Sequence, residues 1–305
     1  MHDFLIPNSI YSTKRLENKY RDQKMKLFFT PAAQHLSLNI DGMKETYISK
    51  TFSDGEKYIR VENEVKGPVW VIANTNPPAE NLLELFFLLD ALKRISTDMR
   101  LLIPYFAYAR QDRITQEGEC LGAKVISDFL KYFRLTKVVV FHIHSRMIKG
   151  YLDYEDLFPL DLISPFVRQA DVVAAPDEGG IPFAKMVGKR CGLPVIHIKK
   201  KRITEEKVEV IEVCGEVQGK KVMIVDDMIA TGDTIIKATE KLLSRGAKEV
   251  EAYATHGIFS GNAREKLDKS PIKQIYVTNS LPQREGAKIR VLDISPLLRD
   301  VIEFE

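Results

Sequence analysis

Short apolar runs alternate with longer segments of helical period along this chain, and that alternation constrains its fold more than any other feature. VWVIAN, RLLIPY, KVVVFHIH, DVVAAP, LPVIHI, KVMIVDD, EVEAYAT and QIYVT read as strands, and between them lie helical patterns such as ENLLELFFLLDALKRI and DTIIKATEKLLSRGA. Strands that alternate with helices predict an α/β chain with mainly parallel sheets. The Leu, Phe and Ile positions between Leu82 and Ile95 surround most of a helix, so that element is expected between a sheet and a second surface. At 305 residues the chain has room for two domains, each with its own core. The stretch DYEDLFPLDLISP, with its acids and two prolines, marks the boundary. Residues 1–25 are expected as a polar extension, 26–160 as the first domain and 161–305 as the second. The C-terminal segment 295–305 is a candidate to pack back onto the first.

Composition excludes several classes. Apolar residues make up 45% and charged residues 29%, as in a soluble globular protein, and no stretch has the roughly 18 apolar residues of a membrane span. A net charge of +3 does not suggest a polyanion-coating surface, so nucleic acid is not expected as a partner. Cys120, Cys191 and Cys214 form no close pair, which argues against a disulfide framework or a zinc knuckle and fits a reducing cytoplasm. The first residues mix acids and bases and do not read as a signal peptide.

The chemistry concentrates in VMIVDDMIATGDT, residues 222–234. Four apolar residues make a buried strand, Asp226 and Asp227 fall at its carboxyl end, and a helix begins after Thr-Gly-Asp-Thr. Ligands of open parallel sheets bind at that edge. Gly232 allows a sharp turn, and the hydroxyls of Thr231 and Thr234, with the free N–H groups of the helix start, suit a phosphate. Adjacent carboxylates can accept hydrogen bonds from sugar hydroxyls, so the segment suits a pentose phosphate. Asp233 taken alone reads as a helix cap.

Other stretches carry further signals. Arg110, Gln111 and Arg113 in PYFAYARQDR combine two cations with an amide, a set suited to an adenosine polyphosphate in a chain without a Walker A pattern. His142 and His144 lie two apart at a strand end and are expected to face one side. Asp177 in APDEGG is a strand-end acid with Gly179 and Gly180 behind it, which lets the backbone approach a phosphate or hydrated Mg²⁺. Lys199 to Arg202 form a basic run before ITEEKVEV, a polar stretch suited to a mobile flap.

The loop at 222–234 resembles the phosphoribosyl diphosphate loop shared by type I phosphoribosyltransferases and ribose-phosphate diphosphokinases. FSDGEKYIRV, PYFAYARQDR, APDEGG and KKKR resemble the diphosphokinases over most of Met25 to Glu305. The resemblance implies two phosphoribosyltransferase-type domains with mainly parallel sheets flanked by helices. The first would bind ATP and the second ribose 5-phosphate. It implies transfer of the diphosphoryl group of Mg-ATP to the anomeric hydroxyl, with Mg²⁺ as cofactor. The ATP site would comprise Arg110, Gln111, Asp112, Arg113 and His144, with Phe52, Asp54 and Glu56 reaching the adenine from a neighbouring subunit. Asp226, Asp227, Thr231, Gly232, Asp233 and Thr234 would hold ribose 5-phosphate, His144 and Asp177 would meet the metal, and Lys200 and Arg202 would be catalytic. A homo-oligomer, dimer or hexamer, is implied.

Three features depart from the family's commonest pattern. Ala230 stands where many members carry an acid, His142 where an aspartate is usual, and QEGECLGAK replaces the usual segment after Arg113. Two alternatives stand beside the diphosphokinase reading: a type I phosphoribosyltransferase, and a non-catalytic synthetase-associated regulatory subunit. The second should have lost the flap cations, yet Lys200 and Arg202 are present.

Overall fold

The computed structural model describes residues 25–63, 65, 67–202 and 209–303. Up to Lys24, the expected N-terminal extension lies outside the described residues. The same is true of residues 203–208 of the expected flap and of the side chains of residues 200–202 and 209–211, and so of the Lys200 and Arg202 side chains.

The first half runs β1 (Lys26–Phe29), a 3₁₀ turn (Pro31–Leu36), β2 (Met43–Glu45), β3 (Tyr47–Thr51), β4 (Lys57–Val61), β5 (Val69–Ile72), α1 (Glu80–Lys93), β6 (Met99–Ile103), α2 (Gly122–Tyr132), β7 (Lys137–Phe141) and β8 (Glu155–Leu157). The second runs α3 (Leu160–Val167), β9 (Val172–Ala175), α4 (Ile181–Cys191), β10 (Val195–Arg202), β11 (Glu209–Cys214), β12 (Lys221–Ile229), α5 (Asp233–Ser244), β13 (Glu249–Gly257), α6 (Ala263–Lys269), β14 (Ile275–Thr278), β15 (Ile289–Leu292) and α7 (Ser295–Glu303). A six-stranded sheet has the order β2-β1-β5-β6-β7-β8, with every pairing parallel. A seven-stranded sheet has the order β11-β10-β9-β12-β13-β14-β15 and is parallel except for β10 with β11. The α/β reading therefore holds, and the continuous apolar runs have their physical reason: both sheets are covered on both faces.

Alternation along single strands shows this directly. In β5, Val69 and Val71 pack with α1 while Trp70 and Ile72 face the opposite layer, and all four are fully buried. In β12, Val222 and Ile224 pack with α5, whereas Met223 and Val225 pack with α4. Each such side chain contributes roughly 1.5–3 kcal/mol on burial, so a polar residue at any of them would be costly. Helix α7 returns to the first sheet, where Leu298 and Ile302 pack with Leu27, Trp70 and Phe141.

Helix α1 buries Leu82, Leu85, Leu88, Leu89 and Leu92, while Leu83 and Phe87 stay exposed at 45% and 42%. The second surface expected against this helix is only partly supplied by the chain itself: a separate two-stranded sheet of β3 and β4 lies against it. That hairpin is held by a buried carboxylate. Glu84 of α1 accepts from the Tyr47 hydroxyl at 2.9 Å and the Ser49 hydroxyl at 3.1 Å, and pairs with Lys57 at 3.2 Å.

Candidate active site

The carboxyl ends of the two sheets face each other across a cleft of about 770 Å³. From the first half it is lined by Arg110, Asp112, Arg113, His144 and Arg146; from the second by Asp177, Asp226, Asp227, Thr231, Gly232 and Thr234. The Arg110 arm and the glycine turn, more than a hundred positions apart in the chain, thus open onto one space.

On the second half the geometry follows from the strand. β12 carries Asp226 and Asp227 to the sheet edge, where Asp226 accepts from the Asp227 N–H at 2.9 Å. Gly232 sits at φ +82° as the residue before α5, a left-handed conformation that L side chains rarely adopt. A Cβ there would also come within 3.1 Å of Leu267. The turn leaves the first N–H groups of α5 free toward the cleft. Asp233 opens the helix but makes no side-chain cap; its exposed carboxylate pairs with Lys266 at 2.9 Å and lies outside the cleft lining. At the neighbouring strand end, Asp177 accepts from the Gly180 N–H at 3.1 Å, just before α4.

On the first half, side chains do more of the work. Asp112 is buried and forms a two-point contact with Arg113 at 2.8 and 2.9 Å, while the Ser145 hydroxyl donates to it at 2.5 Å. The guanidinium beside Asp112 pulls its carboxyl down to about 2 against the opposing effect of burial. Asp112 therefore acts as an anionic holder that aims Arg113. Gln111 turns elsewhere: its carbonyl lies against Gly122 at the start of α2, and it is absent from the cleft lining. Phe52, Asp54 and Glu56 are also absent from that lining; they form the exposed tip of the β3–β4 hairpin, where Asp54 accepts from the Glu56 N–H at 3.1 Å.

His144 spans the cleft. Its Nδ1–H donates to Asp227 at 2.6 Å, and this contact, against burial, raises the His144 pKa. The two aspartates diverge accordingly. Burial, then the charges of Asp227 and Asp177, push Asp226 well up. Burial also works to raise Asp227, but the hydrogen bond and charge of His144 outweigh it and leave Asp227 lowered. The two carboxyls are thus pushed in opposite directions, Asp226 up and Asp227 down.

The two histidines both line the cleft, but strand alternation is not what brings them there. β7 ends at Phe141 and His142 takes φ +46°, so period-two geometry no longer applies. His142 is buried, with Nδ1 at 2.5 Å from the Thr255 hydroxyl, and burial lowers its pKa to about 3. It is a neutral hydrogen-bonding group. Ala230 also lines the cleft and accepts from the Ser260 N–H at 2.9 Å, so the loop bends without an acid at that position.

Sequence reading missed Arg146, which lines the cleft beside His144, and Ser145, whose hydroxyl joins Asp112 to the turn after β7. The signal was available, because Ser-Arg directly follows a strand-end histidine, where a turn-capping residue is common.

Comparison with known proteins agrees with this geometry. Residues 25–133 match the family model "N-terminal domain of ribose phosphate pyrophosphokinase", and residues 175–304 match "Phosphoribosyl synthetase-associated domain". The chain is 37% identical to a ribose-phosphate pyrophosphokinase of Aquifex aeolicus, over 83% of this chain and 85% of that one. The chain belongs to the ribose-phosphate pyrophosphokinase family. A second pyrophosphokinase, from Bacillus subtilis, is 33% identical over 94% of this chain and 96% of its own. Among solved structures, a phosphoribosylpyrophosphate synthetase of Mycobacterium smegmatis superposes with a TM-score of 0.83 at 30% identity, covering 92% of this chain and 98% of that one. The pyrophosphokinase fold thus extends over both sheets. No helix among the described residues is long and apolar enough to cross a membrane.

Proposed function

We propose that the chain transfers the diphosphoryl group of ATP to the anomeric hydroxyl of ribose 5-phosphate, giving 5-phosphoribosyl 1-diphosphate and AMP. The observation that carries this reading is the single cleft into which both the Arg110–Arg113 arm and the Asp226–Thr234 loop open. The 5-phosphate would lie on the Thr231 to Thr234 turn at the start of α5, and Asp226 and Asp227 would take the ring hydroxyls. Arg110 and the Asp112-held Arg113 would grip the polyphosphate. The anomeric oxygen then forms its bond to the β-phosphorus as the bond from that phosphorus to the AMP oxygen breaks, and the hydroxyl proton is released. Positioning and charge stabilisation supply the rate for such a transfer.

Mg²⁺ fits the donors present. Asp177, Asp226 and Asp227 offer hard carboxylate oxygens, but no group of three or more His, Cys, Asp or Glu side chains among the described residues could hold a metal alone. That suits an ion bound through one carboxylate, waters and substrate phosphates, with Asp177 as the protein ligand. When bound, the ion would neutralise phosphate charge. His144 spends Nδ1 on Asp227, which leaves Nε2 to meet a phosphate oxygen or the metal. Lys200 and Arg202, near the end of β10 in the antiparallel ribbon with β11, are the proposed catalytic cations.

The hairpin tip of Phe52, Asp54 and Glu56 would serve the adenine in a neighbouring copy, which requires a homo-oligomer. The exposed apolar face of α1, with Leu83 and Phe87, continues over Phe129 and Tyr132 of α2 to Tyr58 of the hairpin. A second copy seated there would cover this face next to the hairpin that it borrows.

Purified protein given ribose 5-phosphate, Mg²⁺ and ATP should form AMP and phosphoribosyl diphosphate in equal amounts. Pyrophosphorolysis of a nucleotide without AMP formation from ATP would overturn the reading in favour of a transferase.

A further inference from the structure

Among the buried titratable groups that the reaction outlined above leaves unused, one joins the two halves of the molecule. His256, near the end of β13, is 1% exposed and fixed through both ring nitrogens. Nε2 lies 3.0 Å from the carbonyl oxygen of His142, and Nδ1 lies 2.9 Å from the Ser280 hydroxyl. A carbonyl only accepts, so Nε2 must carry the hydrogen. Burial lowers the ring's pKa to about 4 and keeps it neutral, so Nδ1 accepts from Ser280.

The circuit continues past this ring. The Ser280 carbonyl accepts from the Asn74 side chain at 2.8 Å, and the Asn74 side-chain oxygen accepts from the Tyr105 N–H at 2.8 Å. The Tyr105 ring meets His256 edge-on, with centroids 4.9 Å apart. Tyr105 begins the arm that carries Arg110 and Arg113, and His142 begins the turn that carries His144 and Arg146. Both nucleotide-side segments of the first half are therefore tied to one side chain of the second. That side chain stands on β13, which pairs directly with β12 and its two aspartates.

We propose that His256 is a positioning residue for the reaction: by bridging the His142 carbonyl and Ser280 it holds the nucleotide-gripping segments at a fixed place relative to the sugar loop. The inference rests on the assignment of Arg110 and His144 to the nucleotide. Buried polar circuits of this kind specify one arrangement only while every member is satisfied. His256→Leu removes both the donor and the acceptor, leaving the His142 carbonyl and Ser280 without this partner. His256→Gln can restore one donor and one acceptor.

The test measures kcat, both KM values and Tm for the full chain. In His256→Leu, kcat/KM for ATP should fall on the order of tenfold to a hundredfold, the effect of a small misplacement of reacting groups. The KM for ribose 5-phosphate should stay within about twofold, because its loop is built locally on β12 and α5. His256→Gln should recover kcat/KM for ATP to within about threefold of the parent chain. A loss shared equally by both substrates and tracking Tm, with no rescue by Gln, would reduce His256 to a packing residue and overturn the proposal. Should the Leu variant fail to fold, Ser280→Ala carries the same test, with the same selective loss expected. Arg110→Ala serves as the control. If Arg110→Ala lowers kcat/KM for ATP while the His256 variants do not, positioning by His256 fails alone. If Arg110→Ala leaves it unchanged, the nucleotide assignment fails and the role of His256 with it.

Discussion

The two walls of the cleft are built on different plans. The wall proposed for the sugar rests mainly on one continuous stretch, Asp226 to Thr234, set by a strand end, a left-handed glycine and a helix start, with Asp177 added from the neighbouring strand end. The nucleotide wall is assembled from the arm around Arg110 and Arg113 and the turn around His144 and Arg146, with the hairpin tip of Phe52 lying apart from it. A wall made of consecutive residues takes its shape from local backbone rules. A wall made of separated segments holds its shape only through side chains such as Asp112, Ser145 and Asn74, so a distant change can disturb it.

The largest effect is expected where the ribbon of β10 and β11 would meet both walls. Lys200→Ala should lower turnover about a hundredfold or more while the KM for ribose 5-phosphate changes little, as measured by steady-state kinetics. Near-normal turnover would remove Lys200 from the mechanism. The adjacent aspartates sharpen the contrast next. Asp227→Asn removes the negative charge from the contact with His144 that joins the walls, and should cost on the order of tenfold to a hundredfold in kcat/KM. Burial pushes the Asp226 carboxyl up, toward its neutral form, so a neutral amide is a closer mimic there and Asp226→Asn should cost less than Asp227→Asn. The reverse order would show that the charge sits on the other carboxylate.

Gly232→Ala probes the locally built wall. A left-handed alanine costs roughly 1–2 kcal/mol, and its Cβ would press on Leu267. Thermal unfolding should move down, and the KM for ribose 5-phosphate should rise while that for ATP holds. An equal rise in both would mean that the walls are not independent.

The effect farthest from turnover concerns Asp156 of β8, which accepts from the Ile143 N–H at 3.0 Å between the two histidines. Burial raises its pKa to about 6, against the ordinary carboxylate value near 3.9. The folded state thus binds the proton more tightly than the unfolded chain. The resulting stabilisation is fully present below about pH 4 and is lost as pH rises through about 6. Asp156→Asn keeps an acceptor without the ionisation, so it should stabilise the protein by up to about 2 kcal/mol at pH 7.5 relative to the parent. The difference should vanish near pH 4, as seen in paired melting curves at the two pH values.

This contrast also explains what the sequence disclosed. The inner strands of both sheets were legible because runs such as Val69–Ile72 and Val222–Val225 are apolar on both faces, a property of neighbouring residues, whereas β1 and the strands at the sheet edges were not among the runs read. The glycine turn was legible for the same reason. His142, His256, Ser280 and Asn74 were not, because each is an ordinary polar residue until two sheet ends meet: His142 finds Thr255 at a separation of 113 positions, and Asn74 finds Ser280 at 206. Asp112 looked like a possible nucleotide ligand; its partner Arg113 is its neighbour in the chain, but Ser145 lies beyond α2 and β7, at a distance that local pattern could not bridge. Glu84 is the same lesson in a helix, an acid among leucines that makes sense only once the hairpin folds over it.

Helix α7 carries a consequence for how the molecule comes into being. Trp70 and Phe141 emerge from the ribosome long before Leu298 and Ile302, which help to seal them. The nascent first half must therefore wait with a greasy flank uncovered until α7 has been made. A chain interrupted before α7 would keep the glycine turn of the second sheet and lack the cover of the first.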